Sequence, residues 1–173
     1  MTLKPIALVV AAGVMASGLV VGTLNPAQGK GKGGGGGGNA TETRIEARLV
    51  PSVNTPIAGA EGEAERRTRA GDDEFKVTVE FPLGSTLTDV TAHLSRANSP
   101  YADCTLVQDL DETLVIEFKV DIRNRGVLQS KKGSCVATGT TTPNILPDAQ
   151  AGDTVSITVN GNAGALTGTF VNH

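Results

Sequence analysis

The sequence predicts an all-β fold, and three observations carry that prediction. Apolar and polar residues alternate with period 2 in several runs after residue 42, clusters of Gly, Asn and Asp separate those runs, and no stretch of comparable length has helical spacing. A strand of this kind has one apolar face, and a sheet built from such strands must cover that face with another layer. The expected architecture is therefore an Ig-like, two-sheet antiparallel sandwich of about eight or nine strands with one disulfide. A β-barrel is the alternative way to close the same strands.

Taken in order, Ile45, Ala47 and Leu49 alternate with Arg44, Glu46 and Arg48 and open the series. Glu61, Glu63 and Glu65, followed by Arg66, Arg67 and Arg69, form a charge-rich run that reads as an edge strand, protected by its charges from pairing with other chains. Phe75, Val77, Val79 and Phe81 then alternate with Lys76, Thr78 and Glu80. Val90, Ala92 and Leu94 put His93 on the wetter face of the next strand, beside Asp89 and Thr91. The clearest run sets Leu114, Ile116, Phe118, Val120 and Ile122, all expected in the core, against Glu117, Lys119, Asp121 and Arg123. Residues 138–150, with Pro143 and Pro147, read as a long loop. Val155, Ile157 and Val159 form a strand that Asn160-Gly161, a type I′ hairpin signal, joins to a last strand with Leu166 and Phe170.

Residues 43–173 thus form the β domain, and what precedes it has a different character. Lys4 and the charge-free run over residues 5–24 have the layout of an export signal covering residues 1–29, with Ala27-Gln28-Gly29 suited to cleavage. The run also has about the 20 residues that a retained membrane anchor needs, although Gly13, Gly18 and Gly22 weaken it as a helix. Residues 30–42 are a Gly-rich linker expected to be disordered, because its glycines bury nothing and are costly to order. The expected location is secreted or extracytoplasmic, in a periplasm or at a cell surface, with a membrane involved only if the signal is retained.

Cys104 and Cys135 are the only cysteines, an even count in a chain marked for an oxidising compartment, and they are expected to form a disulfide. Closing that loop stabilises the fold by roughly 3 to 4 kcal/mol on chain-entropy grounds. The net charge of −3 becomes about −4 once Lys4 leaves with the signal, which makes nucleic acid a poor partner. Trp is absent, Tyr101 is the only Tyr, and both Met residues lie in the signal. Such a composition disfavours sugar platforms of stacked aromatics and thioether copper sites.

Few residues carry chemistry. Asp109, Asp111 and Glu112 are hard oxygen donors close together and are the candidate calcium ligands, though no EF-hand Gly or distal Glu accompanies them. Arg123, Arg125, Lys131 and Lys132 could gather around one hairpin as a basic patch for an anionic glycan. His93 lacks a Gly-x-Ser-x-Gly nucleophile sequence to complete a hydrolase triad. No catalytic residue and no cofactor is expected. The leading expectation is a non-enzymatic exported module with a structural or interaction role towards a protein or cell-surface component, and the alternative is a binding module for an anionic glycan or calcium.

Glu63-Ala64-Glu65-Arg66-Arg67, Phe75-Lys76-Val77-Thr78-Val79, Gly84-Ser85-Thr86-Leu87, Gly152-Asp153-Thr154-Val155 and Leu166-Thr167-Gly168-Thr169-Phe170 together resemble a loosely defined group of uncharacterised secreted bacterial β-sandwich proteins. The resemblance spans most of residues 57–171 and implies a sandwich fold. Cys104, Cys135 and the stretch between them depart from the group's pattern, and no catalytic or ligand residue comes with it.

Overall fold

The structure, a computed structural model, describes residues 42–53, 57–141 and 144–173. The export signal and nearly all of the Gly-rich linker lie outside the described residues. Twelve strands form, and no helix occurs among the described residues: β1 (Thr43–Pro51), β2 (Glu61–Arg69), β3 (Asp72–Phe81), β4 (Val90–Arg96), β5 (Ser99–Thr105), β6 (Val107–Asp109), β7 (Ile116–Asn124), β8 (Leu128–Lys132), β9 (Ser134–Ala137), β10 (Thr154–Val159), β11 (Asn162–Thr169) and β12 (Val171–Asn172). The fold is all-β, as the alternation predicts.

The layering differs from the expected pair of separate sheets. Ten strands follow one hydrogen-bonded path, β6-β7-β3-β2-β1-β11-β10-β4-β5-β9, with β8 on β7 and β12 on β1, and this sheet curls into a half-barrel. Two corners make the curl. At the first, β1 pairs with β2 as far as Leu49 and then turns to pair Val50 and Pro51 with β11. Leu49 fits there because Gly62 and Gly168 lie on either side of it, where a Cβ on either residue would come within 3.1 Å of the Leu49 side chain. At the second corner the chain crosses between the halves twice, from β5 to β6 at Leu106 and from β8 to β9 at Gly133. Gly133 has φ +63 and lies against the Thr105 carbonyl and Val120, a position with no room for a side chain. Reading β5–β6, β8–β9 and β11–β12 as single passes bent at corners leaves nine passes, close to the number of runs visible in the sequence.

Side chains from both halves share one core. Phe75, Val77, Val79 and Phe81 of β3 are fully buried with Val120 and Ile122 of β7, Val90 and Leu94 of β4, and Ile157 of β10. Phe81 and Phe118 meet edge to face with ring centres 6.1 Å apart, the arrangement that aromatic quadrupoles favour. Two sequence expectations are corrected here. β2 is an inner strand, hydrogen-bonded to β1 and β3; Glu61, Glu63, Glu65, Arg67 and Arg69 line the solvent face, Gly62 and Ala64 fit inside, and Arg66, at the same parity as these two, reaches Asp148 and Ala149. Leu114 is outside the core and 82% exposed, because β7 begins at Ile116 and the alternation is continued into a loop.

Cys104 and Cys135 form the disulfide. They are directly opposed on the neighbouring strands β5 and β9, so the bond fastens the end of the half-barrel. The expected loop after β9 is present, and it is anchored. Ile145 donates its N–H to the Cys135 carbonyl, and Arg66 donates to Asp148 Oδ1 (2.6 Å) and the Ala149 carbonyl (2.9 Å). The Asn160-Gly161 hairpin has φ values of +50 and +79, as a type I′ turn requires.

Candidate functional site

The two outer faces of the half-barrel have opposite chemistry. On β10, β4 and β11 the outward residues are mostly hydroxylated, Thr154, Ser156, Thr158, Thr91, Ser95, Thr167 and Thr169, with His93 among them. On β1, β2, β3 and β7 they are almost all charged.

The charged face has two unlike ends. At one, cations and carboxylates alternate and pair: Arg44 with Glu65 (3.1 Å), Arg67 with Glu65 (2.9 Å) and Glu42 (3.1 Å), and Arg123 with Glu74 (2.6 Å). At the other, strand register sets Glu61, Glu80, Glu117 and Asp109 side by side on β2, β3, β7 and β6. Like charges directly opposed across strands are destabilising. Lys119 offsets this by pairing with Glu117 and with Asp109 (3.2 Å), and Lys132 also pairs with Asp109. Hydrogen bonds from Lys132 and Lys119 hold the Asp109 carboxyl at about 2, well below an ordinary aspartate. Among the described residues no cation is in ion-pair contact with Glu61, Glu63 or Glu80. These three, with Glu46, Glu65 and Glu117, line a concavity of about 610 Å³, and among the described residues Arg48, Lys76 and His173 line it too, His173 Nε2 lying 2.8 Å from Glu46.

The calcium candidates sit at the end of this acidic row. Asp109 closes β6, with Asp111 and Glu112 exposed in the following loop. Asp109 Oδ1 accepts the Asp111 N–H (3.3 Å) and Oδ2 faces the two lysines, so a cation there would have to displace two ammonium groups. Among the described residues the three carboxylates whose oxygens do converge are Glu46, Glu63 and Glu65, and Arg44 already pairs with two of them. The basic hairpin is likewise compensated within the protein: Arg123 pairs with Glu74 and Asp121, Arg125 with Asp72 (2.9 Å) and Lys132 with Asp109. Lys131 is left exposed to solvent.

Sequence reading missed two side-chain clusters. Nε2 of His93 lies 2.9 Å from Thr158 Oγ1 and Nδ1 lies 2.6 Å from Asp103 Oδ1, while Thr138 donates to Asp103 Oδ2 (3.1 Å). Hydroxyl, imidazole and carboxylate stand here in the order of a hydrolase triad, and they tie β10, β4 and β5 together. The second cluster surrounds Asp153, which is 2% exposed. Its carboxylate accepts from Arg96 Nε and Nη2 (both 2.9 Å), the Gln150 N–H (2.9 Å) and the Tyr101 hydroxyl (3.1 Å). Burial pushes the Asp153 carboxyl up, but these donors outweigh it and leave the group below its ordinary value. Burial, with Asp153 alongside, pushes the Tyr101 hydroxyl well above the ordinary tyrosine value. The period-2 pattern placed His93 on the outer face. Its partners, on strands 10 and 65 positions away, follow from register alone.

The class defined by these observations is an all-β half-barrel protein with one disulfide. Compared with known proteins, the chain matches no protein-family model, no curated protein and no solved structure.

Proposed function

We propose that the chain is an exported, non-enzymatic β module with a structural or interaction role at or outside the cell surface. The observation that carries this reading is the charged face of β1, β2, β3 and β7, where Glu61 and Glu80 oppose each other across strands beside a wide concavity and, among the described residues, neither has an ion-pair partner. Folding gains nothing from opposing carboxylates, so a row of them that internal cations leave open favours a role towards something outside the chain. The Cys104–Cys135 bond agrees with an oxidising compartment. In this reading the two halves of the curled sheet serve as the layers of a sandwich, one charged outside and one hydroxylated.

Cross-linking with a lysine-reactive reagent on intact producing cells tests the proposal. Discrete cross-linked species that disappear in the E61K/E63K/E80K variant are expected. Their absence from the unaltered protein at every linker length tried would overturn it. Compensation of Arg123, Arg125 and Lys132 by internal carboxylates weighs against the anionic-glycan alternative, and salt-sensitive retention on an anionic glycan array would restore it.

A second reading rests on Thr158, His93 and Asp103. In it, the Thr158 hydroxyl attacks an activated ester while His93 Nε2 takes its proton and then returns it to the departing alkoxide. An acyl adduct on Thr158 after treatment with p-nitrophenyl acetate, lost in H93Q, would support it. No adduct in the unaltered protein removes it.

A further inference from the structure

The charged face ends in a group of loops that expose large apolar side chains. Leu83 follows Phe81 by two residues and Leu114 precedes Ile116 by two, and Phe81 pairs with Ile116, so both leucines project from the same end of the β3–β7 pair. Leu110 directly follows Asp109, whose partner is Glu117, and so belongs to that end as well. Leu83, Leu110 and Leu114 are 63%, 81% and 82% exposed. Single exposed apolar residues are ordinary, but three leucines on neighbouring loops at one end of a sheet mark an interaction surface.

The charges around these loops specify the partner. Between Leu110 and Leu114 lie the exposed carboxylates of Asp111 and Glu112, and the row immediately beneath is Glu61, Glu80 and Glu117. A bilayer is poorly matched, since insertion of the leucines would drag two carboxylates into the headgroup layer and against any anionic lipid. We propose that this end of the half-barrel docks a basic amphipathic segment of a partner protein, whose apolar side chains cover Leu83, Leu110 and Leu114 and whose Lys or Arg side chains face Asp111, Glu112, Glu61 and Glu80. The apolar contacts supply most of the affinity, and the carboxylates fix orientation and select against acidic partners. This rests on the interaction reading above and adds to it where the partner binds and what it carries.

The test uses the full exported protein and three fluorescent probes: a Leu/Lys amphipathic peptide, a Lys-only peptide of equal charge, and a Leu/Glu amphipathic peptide. Fluorescence anisotropy is expected to give at least about 10-fold tighter binding of the Leu/Lys peptide than of either other probe. L110S/L114S should weaken that binding about 10-fold, and E61Q/E80Q should flatten its salt dependence. All four positions lie at the solvent surface, and circular dichroism checks that the variants stay folded. Equal binding of the Leu/Lys peptide to L110S/L114S, or retention of the protein on zwitterionic vesicles with no preference among the peptides, overturns the proposal. The cell cross-linking experiment separates the two failures. Cross-links that persist unchanged in L110S/L114S remove this docking site but leave the interaction role, and their absence from the unaltered protein removes both.

Discussion

Asp153 anchors the start of β10 and the loop before it, with Arg96, Tyr101 and the Gln150 N–H all converging on one buried carboxylate. Removing it strands three donors at once. D153A is expected to lower unfolding free energy by roughly 1 to 3 kcal/mol, the scale for leaving buried donors unsatisfied, because Arg96 is 44% exposed and water can take up its charge, and urea titration measures it. A loss below about 1 kcal/mol would mean that water replaces the carboxylate without cost. Asp109 makes a different prediction because its effect depends on pH. Its folded value, about 2, lies below that of an unfolded aspartate, so its contribution is complete at neutral pH and is lost as the pH falls through that value. The urea midpoints of the unaltered protein and D109N should therefore converge between about pH 4 and pH 2. Parallel curves over that window would show that Lys119 and Lys132 do not hold the charge in solution. Neither cluster could be read from the chain, because Asp153 meets Arg96 across 57 positions and Asp109 meets Lys132 across 23.

At the scale of elements, alternation located most strands correctly and erred where a strand stops or turns. It carried β7 through Leu114, since a period of two in the sequence does not reveal where hydrogen bonding ends. β2 illustrates a second limit. Its charges read as an edge, but alternation only assigns faces, and the number of neighbours a strand has depends on what else folds against it. Gly62 is a mark of that inner position. A Cβ there would lie 2.6 Å from the Thr78 carbonyl and 3.1 Å from the Leu49 side chain, in a strand where backbones are already paired on both sides. G62A should destabilise by about 1 to 3 kcal/mol, the range for overpacking, although Ala is the better strand residue in isolation. A neutral or stabilising result in thermal melts would show that the corner at Leu49 has slack.

For the whole molecule, the disulfide joins strands that close one end of the curled sheet. C104A/C135A is expected to unfold at lower urea, with a loss of roughly 2 to 4 kcal/mol, and the unaltered protein in dithiothreitol should follow the same curve. Identical midpoints with and without reductant would mean that the half-barrel holds β5 and β9 together without the bond. By itself the sequence determined the all-β class, the apolar set of β3 and β10, the type I′ hairpin at Asn160-Gly161 and the cysteine pair, because each of these depends on local periodicity, turn conformation or a count of two. Only the tertiary structure decided that one sheet curls through glycine corners, that four carboxylates from four strands stand in a row, and that Leu114 belongs to an exposed apolar end. Those features depend on register between strands far apart in the chain. A shift of one residue there would exchange buried and exposed faces, and no local pattern records which register packing selects.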